Sequence, residues 1–387
     1  MAAIGCIAMT LAGIATVQAQ QTDNAALLYY QTFLLYEKPD ATMERMLADF
    51  RAGTIASNET IREHLNKNRQ VIEYVVRATN IPHCDWGYEY SQGFELTLAS
   101  PQAVRRITSL ILSEAALQAE QGEYRTALDR CMAAYKMSRD AVDKPLVTYL
   151  IGIGTSGVTN RMVERVLETM PGDVEALNRL KTQLNQVQTS FPSMADALTQ
   201  EAQVCAMSMQ KDGIPGMVRI LEQDDPEFAQ SEIRTRLLAG DDAFFERNRT
   251  HWFNSIGTLA ATVQSELPYA EVYAKLGELD RRISAESKAN PDATLTAISL
   301  PAEHRVYMLA TRLHTHFNVL QVAIDLYVAK ARTGRLPDSL PAGSPPDLFS
   351  GMPFEYEKTT GGFILRCRVK EDPEKAQANQ YEFKVKQ

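Results

Sequence analysis

Apolar residues recur at intervals of three and four along most of this chain. The stripes are clearest between Asn24 and about Gly213, and the first two consist of Ala26, Leu27, Tyr30, Phe33 and Leu34, then Met43, Met46, Leu47 and Phe50. This spacing places apolar side chains on one face of an α-helix. The pattern predicts a mostly α-helical protein, built from antiparallel helix hairpins that form an array or a bundle.

A helix hairpin is predicted just after residue 100. Ser100 and Pro101 form a start signal, because proline at the first helical position gives up an amide without an intrahelical partner and serine can cap the others. We expect this helix to end near Gly122 and a second helix to begin at Tyr124.

The turn between these two helices has a recognisable residue order. Ala119, Gly122, Tyr124, Ala127 and Leu128 resemble the middle of a tetratricopeptide repeat, in which small residues let two antiparallel helices approach closely. Only one repeat matches, so the resemblance implies the geometry of a helix pair and not a peptide-binding groove.

Changes in pattern divide the chain into four parts. Residues 1–19 are predicted to be a signal peptide, 20–213 a helical hairpin domain, 214–334 a second helical region that ends in a long helix from Pro301, and 335–387 a Pro/Gly-rich loop with a small β tail. Three runs in the tail are β-like, at residues 354–357, 362–367 and 381–385. A small C-terminal antiparallel hairpin or sheet is expected there.

The N-terminal segment predicts export. Residues 1–20 carry no charge, form one apolar stretch and contain Val17 and Ala19 where a signal peptidase cleaves. The usual Lys or Arg at the start of a signal peptide is missing, so two alternatives to cleavage of this segment stay open: a true start further upstream, or retention of the segment as an anchor. Later parts of the chain lack an uninterrupted apolar run of about 18 residues, so we expect a periplasmic or cell-envelope protein without a further membrane span.

The composition indicates a globular protein and argues against nucleic acid as a partner. The chain has 387 residues and is 45% hydrophobic, which suffices for a sizeable globular core. It carries 48 acidic and 40 basic residues, with a net charge of −8 and no run of Lys or Arg that could neutralise a row of phosphates. Nucleic acid is therefore not an expected partner.

Four cysteines follow the predicted signal peptide, namely Cys84, Cys131, Cys205 and Cys367. An even number of cysteines in an oxidising compartment is compatible with disulfides, and the sequence leaves disulfides and buried free thiols open as alternatives. None of them forms a C-x-x-C pair, so a zinc site is not predicted.

The C-terminal 60 residues or so resemble type II secretion pseudopilins at the level of motifs. The match runs from the end of a long helix through a Gly-Arg-x-Pro-x-Ser-Leu stretch and an Asp-x-Phe-x-Gly-x-Pro stretch into a hairpin. The residues are Gly334, Arg335, Pro337, Ser339 and Leu340, then Asp347, Phe349, Gly351, Pro353 and Tyr356. In a pseudopilin, a methylation-type leader and a membrane segment precede that helix. The long helix predicted here is not preceded by such segments.

The whole chain resembles a group of exported proteins common in planctomycete bacteria. The likeness is carried by Asn24, Ala25, Ala26, Tyr29 and Tyr30, and by the tetrapeptide Cys84-Asp85-Trp86-Gly87. It implies architecture and export, and it implies no particular activity.

Residues 83–86 bring a base, a thiol, a carboxylate and an indole into one loop. His83, Asp85 and Trp86 are the candidate binding residues of the sequence. A cysteine nucleophile needs a base aimed at its sulfur, and such partners come from separate elements rather than from adjacent positions. The competing interpretation is a loop between helices, with Cys84 in a disulfide and Trp86 filling the core.

Two other motifs are better explained by structural roles. Gly152, Gly154 and Gly157 spell a dinucleotide-binding fingerprint, but their flanks are helical, so small residues on a packed helix face are expected instead. His314 and His316 lie two apart on a helix and point in different directions, so no metal site is predicted.

Paired acids and an aromatic cluster complete the candidates. The pairs that contain Asp225 and Asp241 are expected to cap helices. His251, Trp252 and Phe253 are expected in the core, and the alternative is an exposed recognition patch.

No catalytic residue, cofactor or metal is predicted. The expected function is a non-enzymatic scaffold or protein-binding protein of the cell envelope, whose partner is another envelope protein. The alternative is an enzyme or a small-ligand-binding protein with its site near the His83–Trp86 loop.

Overall fold

The computed structural model describes residues 23–98, 101–300, 302–372, 375 and 377–385. It confirms a mostly α-helical fold with a small C-terminal β-sheet. The predicted signal peptide, Ser100 and Pro301 lie outside the described residues. The helices are α1 Ala25–Leu35, α2 Ala41–Ala52, α3 Glu59–Lys67, α4 Arg69–Ala78, α5 Pro101–Glu120, α6 Tyr124–Asp140, α7 Leu146–Thr169, α8 Val174–Ser190, α9 Met194–Ser208, α10 Ile214–Asp224, α11 Glu232–Ala239, α12 Asp242–Val263, α13 Tyr269–Ala289, α14 Thr294–Ser299 and α15 Glu303–Thr333.

Short 3₁₀ helices and three strands complete the described elements. The 3₁₀ helices are Tyr90–Glu95, Pro226–Gln230 and Pro291–Ala293, and the strands are β1 Glu355–Thr359, β2 Gly362–Arg366 and β3 Gln380–Lys384. Within the described residues, no helix combines the length and the apolar character needed to cross a membrane.

Polar caps fix where many helices begin. Asp173 accepts a hydrogen bond from the Ala176 amide and starts α8. Asp241 accepts from the Phe244 amide at the start of α12, and Asp225 accepts from the Glu227 amide. These two aspartates have the capping role predicted for them.

The helix pair predicted after residue 100 is present as α5 and α6. Gly122 adopts a φ of +85°, a left-handed conformation that glycine reaches without strain, and the Glu123 amide donates to the Gln118 carbonyl at 2.8 Å. Ala115 and Ala127 are completely buried, so small residues lie in the packed part of the pair.

Helices from both sides of residue 213 share one buried cluster. The long helix α15 packs on α7 and α8, where Lys181 pairs with Asp325 at 2.6 Å. Similarly, α12 packs on α9, and the indole of Trp252 donates to the Ala202 carbonyl at 2.9 Å.

The tail is an antiparallel sheet in the order β1-β2-β3. Phe363 lies opposite Phe383, and both are buried beneath the helical body. The Tyr327 hydroxyl donates to the Lys384 carbonyl at 2.6 Å, which attaches β3 to α15. Arg312 of α15 also pairs with the buried Glu371 at 2.5 Å.

The pseudopilin-like motif forms the loop that leads into this sheet. Asp347 is completely buried and accepts hydrogen bonds from the Phe349 amide at 3.0 Å, the Ser350 hydroxyl at 2.7 Å and the Arg368 amide at 2.9 Å. Gly351 has a φ of +70° at the following turn. The motif residues therefore organise the chain between α15 and β1.

Candidate functional site

The His83–Trp86 loop is held against the start of α1. The Ala25 amide donates to the His83 carbonyl at 2.9 Å. The side chain of Asn24 accepts from the Asp85 amide at 2.9 Å and donates to the Asp85 carbonyl at 2.8 Å. The backbone of this loop thus joins the N-terminal helix to the bundle.

Trp86 has a structural environment. It is 4% exposed, and its indole nitrogen donates to the Asp140 carbonyl at 2.6 Å, at the end of α6. Its ring stacks on Tyr29 and Phe33, with centroid distances of 5.6 and 6.0 Å. A buried tryptophan with a satisfied N–H is a core residue, which agrees with the competing interpretation of the loop.

The remaining groups of the loop do not converge on a reactive centre. His83 and Asp85 are exposed, and the Asp85 carboxylate accepts from the Gly87 amide at 2.9 Å. Among the described residues, the His83 imidazole has no hydrogen-bond partner. Burial, reinforced by the nearby Asp140 carboxylate, raises the pKa of the Cys84 thiol to about 12, so it carries little thiolate at neutral pH.

Cys84, Cys131, Cys205 and Cys367, the cysteines that the structure describes, are free thiols in it. Cys131 and Cys205 lie in α6 and α9 and are buried as small apolar side chains. The Cys205 thiol donates to Glu201 at 3.2 Å, and Cys367 is buried beside the sheet.

The glycine fingerprint lies entirely inside α7. A Cβ on Gly152 would come within 2.5 Å of Val142 and 2.9 Å of the Ser138 carbonyl, so this residue is where α7 and the end of α6 meet closely. Gly154 is exposed and has open space around it. The predicted packing role is confirmed for Gly152 and does not extend to Gly154.

The histidines have separate partners. His316 contacts Glu164 at 2.8 Å, whereas His314 packs edge-on against Phe191 and burial lowers its pKa. The described residues hold no group of three or more His, Cys, Asp or Glu side chains placed to bind a metal ion.

The aromatic cluster on α12 was predicted to be core, and this is wrong for one member. Trp252 is fully buried, and His251 is half-buried with a 2.8 Å contact to Thr296, but Phe253 is 46% exposed. Adjacent helix positions differ by about 100°, which separates these rings.

A concave feature lined by several arginines was not predicted. A cavity of about 590 Å³ lies between α2, α5, α7 and β3, and a second cavity of about 230 Å³ adjoins it between α2 and α5. Arg51 and Ser109 line both of them. We call the two cavities together the arginine cleft, after the arginines that line it: Arg51, Arg105, Arg106, Arg161 and Arg165.

Arg165 is positioned by the end of α2. One nitrogen, Nη1, donates to the Phe50 carbonyl and, at 2.8 Å, to the Arg51 carbonyl. A cation at a helix C-terminus also interacts favourably with the helix dipole. Gly53, which ends α2 with a φ of +79°, leaves room for the guanidinium, since a Cβ there would lie 3.2 Å from its Nε.

Arg51 is positioned by α5 in a similar way. Its Nη1 donates to the Ser113 hydroxyl at 2.9 Å and to the Ser109 carbonyl at 3.4 Å. For Arg51 and Arg165 alike, Nε and Nη2 have no acceptor among the described residues. Burial lowers the pKa of both guanidinium groups, which shows that their charge is partly desolvated.

The five arginines of the cleft lack ion pairs within the described part of the chain. Four glutamates share the lining, namely Glu44, Glu164, Glu168 and Glu382. Glu164 is engaged by His316 at 2.8 Å, and burial raises the pKa of Glu168. The arginine edges are thus open to a ligand that brings its own anionic groups.

Sequence reasoning missed this site because its residues come from three separated helices. The only local signals were the adjacent Arg105 and Arg106 and the spacing of four between Arg161 and Arg165, which puts them on one helix face. Neither signal places these residues beside Arg51.

Comparisons of the chain with protein-family models, curated proteins and solved structures gave no significant match.

Proposed function

We propose that this protein is a non-enzymatic scaffold of the cell envelope that binds another protein by taking acidic side chains into the arginine cleft. The observation that carries the proposal is the pair Arg51 and Arg165, which line the same cavity, each with one guanidinium nitrogen bonded to the fold and with Nε and Nη2 lacking an acceptor among the described residues. The location in the envelope rests on the uncharged apolar residues 1–19.

Arginine suits this role because its planar guanidinium can donate two parallel hydrogen bonds to one carboxylate. Partial burial strengthens such a bond, since less water competes for the donors. The chain as a whole carries a net charge of −8, so an acidic partner is attracted by the cleft and repelled by much of the remaining surface. This contrast favours docking at one place.

The test uses two cleft arginines that make no hydrogen bond to the described protein. Arg106→Gln combined with Arg161→Gln should leave the fold intact and remove two charges from the lining. Arg69→Gln, at an exposed position at the start of α4, is the matched control. The probe is a glutamate-rich peptide, titrated calorimetrically at low and high salt.

We expect the double variant to bind the peptide about ten-fold more weakly, since two partly exposed charge pairs contribute about 1.4 kcal/mol together. Raising the salt concentration should weaken binding of the peptide to the unchanged protein. It should also reduce the difference in affinity between the unchanged protein and the double variant. Equal affinities for the double variant and the control would remove the cleft from consideration as the docking surface.

A further inference from the structure

The charges of the arginine cleft are not evenly distributed. The smaller cavity is lined by Arg51, Arg105 and Arg106 with a single carboxylate, that of Glu44. The larger cavity adds arginines of α7 together with three carboxylates, those of Glu164, Glu168 and Glu382. One end of the cleft is therefore strongly positive, and the other end, toward β3, contains most of the acidic groups.

Basic and acidic residues of α7 both line the larger cavity. Arg161, Glu164, Arg165 and Glu168 follow one another at intervals of three, one and three, so all four share one helix face. From Arg161 to Glu168 the helix rises about 10 Å. Glu382 of β3 lines the same cavity, and Glu168 also interacts with the backbone of the neighbouring residue Lys384.

The acidic groups at the β3 end differ in how far they are already satisfied. Glu164 has His316 as its partner. Burial raises the pKa of Glu168 even though the nearby charge and backbone of Lys384 act to lower it, and a further cation beside Glu168 would favour its ionised form. Glu382 is exposed on β3 and has no ion-pair partner among the described residues. Two of the three carboxylates can therefore gain from a positively charged ligand group.

We infer that the ligand of the cleft is a dipolar peptide segment, with an acidic side chain between Arg51 and Arg106 and a basic side chain beside Glu168 and Glu382. This inference rests on the proposed function and adds the direction in which the segment lies. The larger cavity, at about 590 Å³, is in the size range of sites that enclose ligands.

The experiment compares two peptides of equal length on the full chain. The mixed peptide carries two aspartates, three neutral residues and then two lysines. In the acidic peptide, glutamates replace the lysines. Both are titrated against the unchanged protein and against Glu382→Gln and Arg106→Gln, with Glu355→Gln as the control. Glu355 is an exposed glutamate at the start of β1 and does not line the cleft.

We expect Glu382→Gln to act oppositely on the two peptides. It removes an attraction for the lysines, so the mixed peptide should bind about three-fold more weakly, and it removes a repulsion, so the acidic peptide should bind more tightly. Arg106→Gln should weaken both peptides by a similar factor. Glu355→Gln should change neither.

The outcomes separate this inference from the proposed function. If Glu382→Gln changes both peptides alike or changes neither, while Arg106→Gln still weakens both, the ligand is not dipolar and the cleft still binds acidic groups. If Arg106→Gln also has no effect, the inference and the proposed function both fail. Binding of inorganic phosphate as tight as that of the mixed peptide would likewise refute a peptide ligand.

Discussion

Glu303, the first residue of α15, has a carboxyl group that is completely buried and lacks a hydrogen-bond partner among the described residues. Burial raises its pKa from 4.5 to about 8, and the carboxylates of Asp280 on α13 and Glu201 on α9 add to this effect. The adjacent His304 is engaged with Asp280 at 2.6 Å. At neutral pH the folded protein therefore holds Glu303 as the uncharged acid.

This pKa makes the stability depend on pH with a definite sign. Below about pH 4.5 the Glu303 carboxyl is protonated in the folded and in the unfolded state, so its burial causes no pH-dependent loss of stability there. Between 4.5 and about 8 the unfolded chain releases the proton and the folded chain keeps it, so stability falls as pH rises. At about 1.4 kcal/mol per pH unit, the full penalty reaches about 5 kcal/mol above pH 8.

Substitution of Glu303 by Gln removes this titration while keeping the size of the side chain. We expect the variant to match the unchanged protein near pH 4.5 and to be more stable at pH 8, by up to about 5 kcal/mol. Urea denaturation, followed by circular dichroism from about pH 4 to pH 9, measures the difference.

Glu371 provides a matched control, because its pKa is shifted in the opposite direction. It is equally buried, but hydrogen bonds from Arg312, Lys375 and Asn379 outweigh the effect of burial and lower its pKa. Glu371→Gln should therefore destabilise the protein at neutral pH. A stability difference between Glu303→Gln and the unchanged protein that is the same at every pH would refute the assignment of Glu303 as a neutral buried acid.

Two further predictions concern the fold. Gly152→Ala should destabilise the protein by about 1–3 kcal/mol, because the added Cβ would overlap Val142. Gly154→Ala, on the exposed side of α7, should stabilise the protein by up to about 1 kcal/mol. Thermal denaturation of the two variants measures both effects, and equal shifts in melting temperature would contradict the packing role of Gly152. Asp347→Ala removes the acceptor of three hydrogen bonds and should cost about 2–4 kcal/mol, with faster hydrogen exchange at the Arg368 amide; unchanged exchange there would show that the loop is held by other contacts.

Helical periodicity and caps predicted most of the fold because both depend on residues close together in sequence. The hairpin of α5 and α6 follows from alanines at helical spacing and from a glycine in the turn, and the three β-runs of the tail follow from their alternation. The periodicity does not predict which helices pack against one another. The packing of α15 across α7 and α8 depends on contacts such as Lys181 with Asp325, which no local pattern encodes.

The candidate loop at residues 83–86 illustrates the opposite problem, because chemically versatile residues were close in sequence and their roles proved to be separate. Trp86 points into the core, Asp85 caps a turn, and the Cys84 thiol is desolvated. Adjacent residues in a loop have side chains that diverge, so proximity in sequence is poor evidence for a shared site. The structural interpretation of Trp86 could be made in advance, since a large apolar ring favours burial.

The net charge of the whole chain gave no indication of the arginine cleft. A net charge of −8 describes the total and says nothing about where the arginines gather. The fold itself selects arginine at two of these positions, because Arg51 bonds to α5 and Arg165 bonds to the end of α2. A guanidinium can serve the fold with one nitrogen and a ligand with its other edge, which the compact ammonium of lysine cannot do in the same geometry. Two residues that hold α2, α5 and α7 together are thereby also the donors on which the proposed binding of acidic side chains depends.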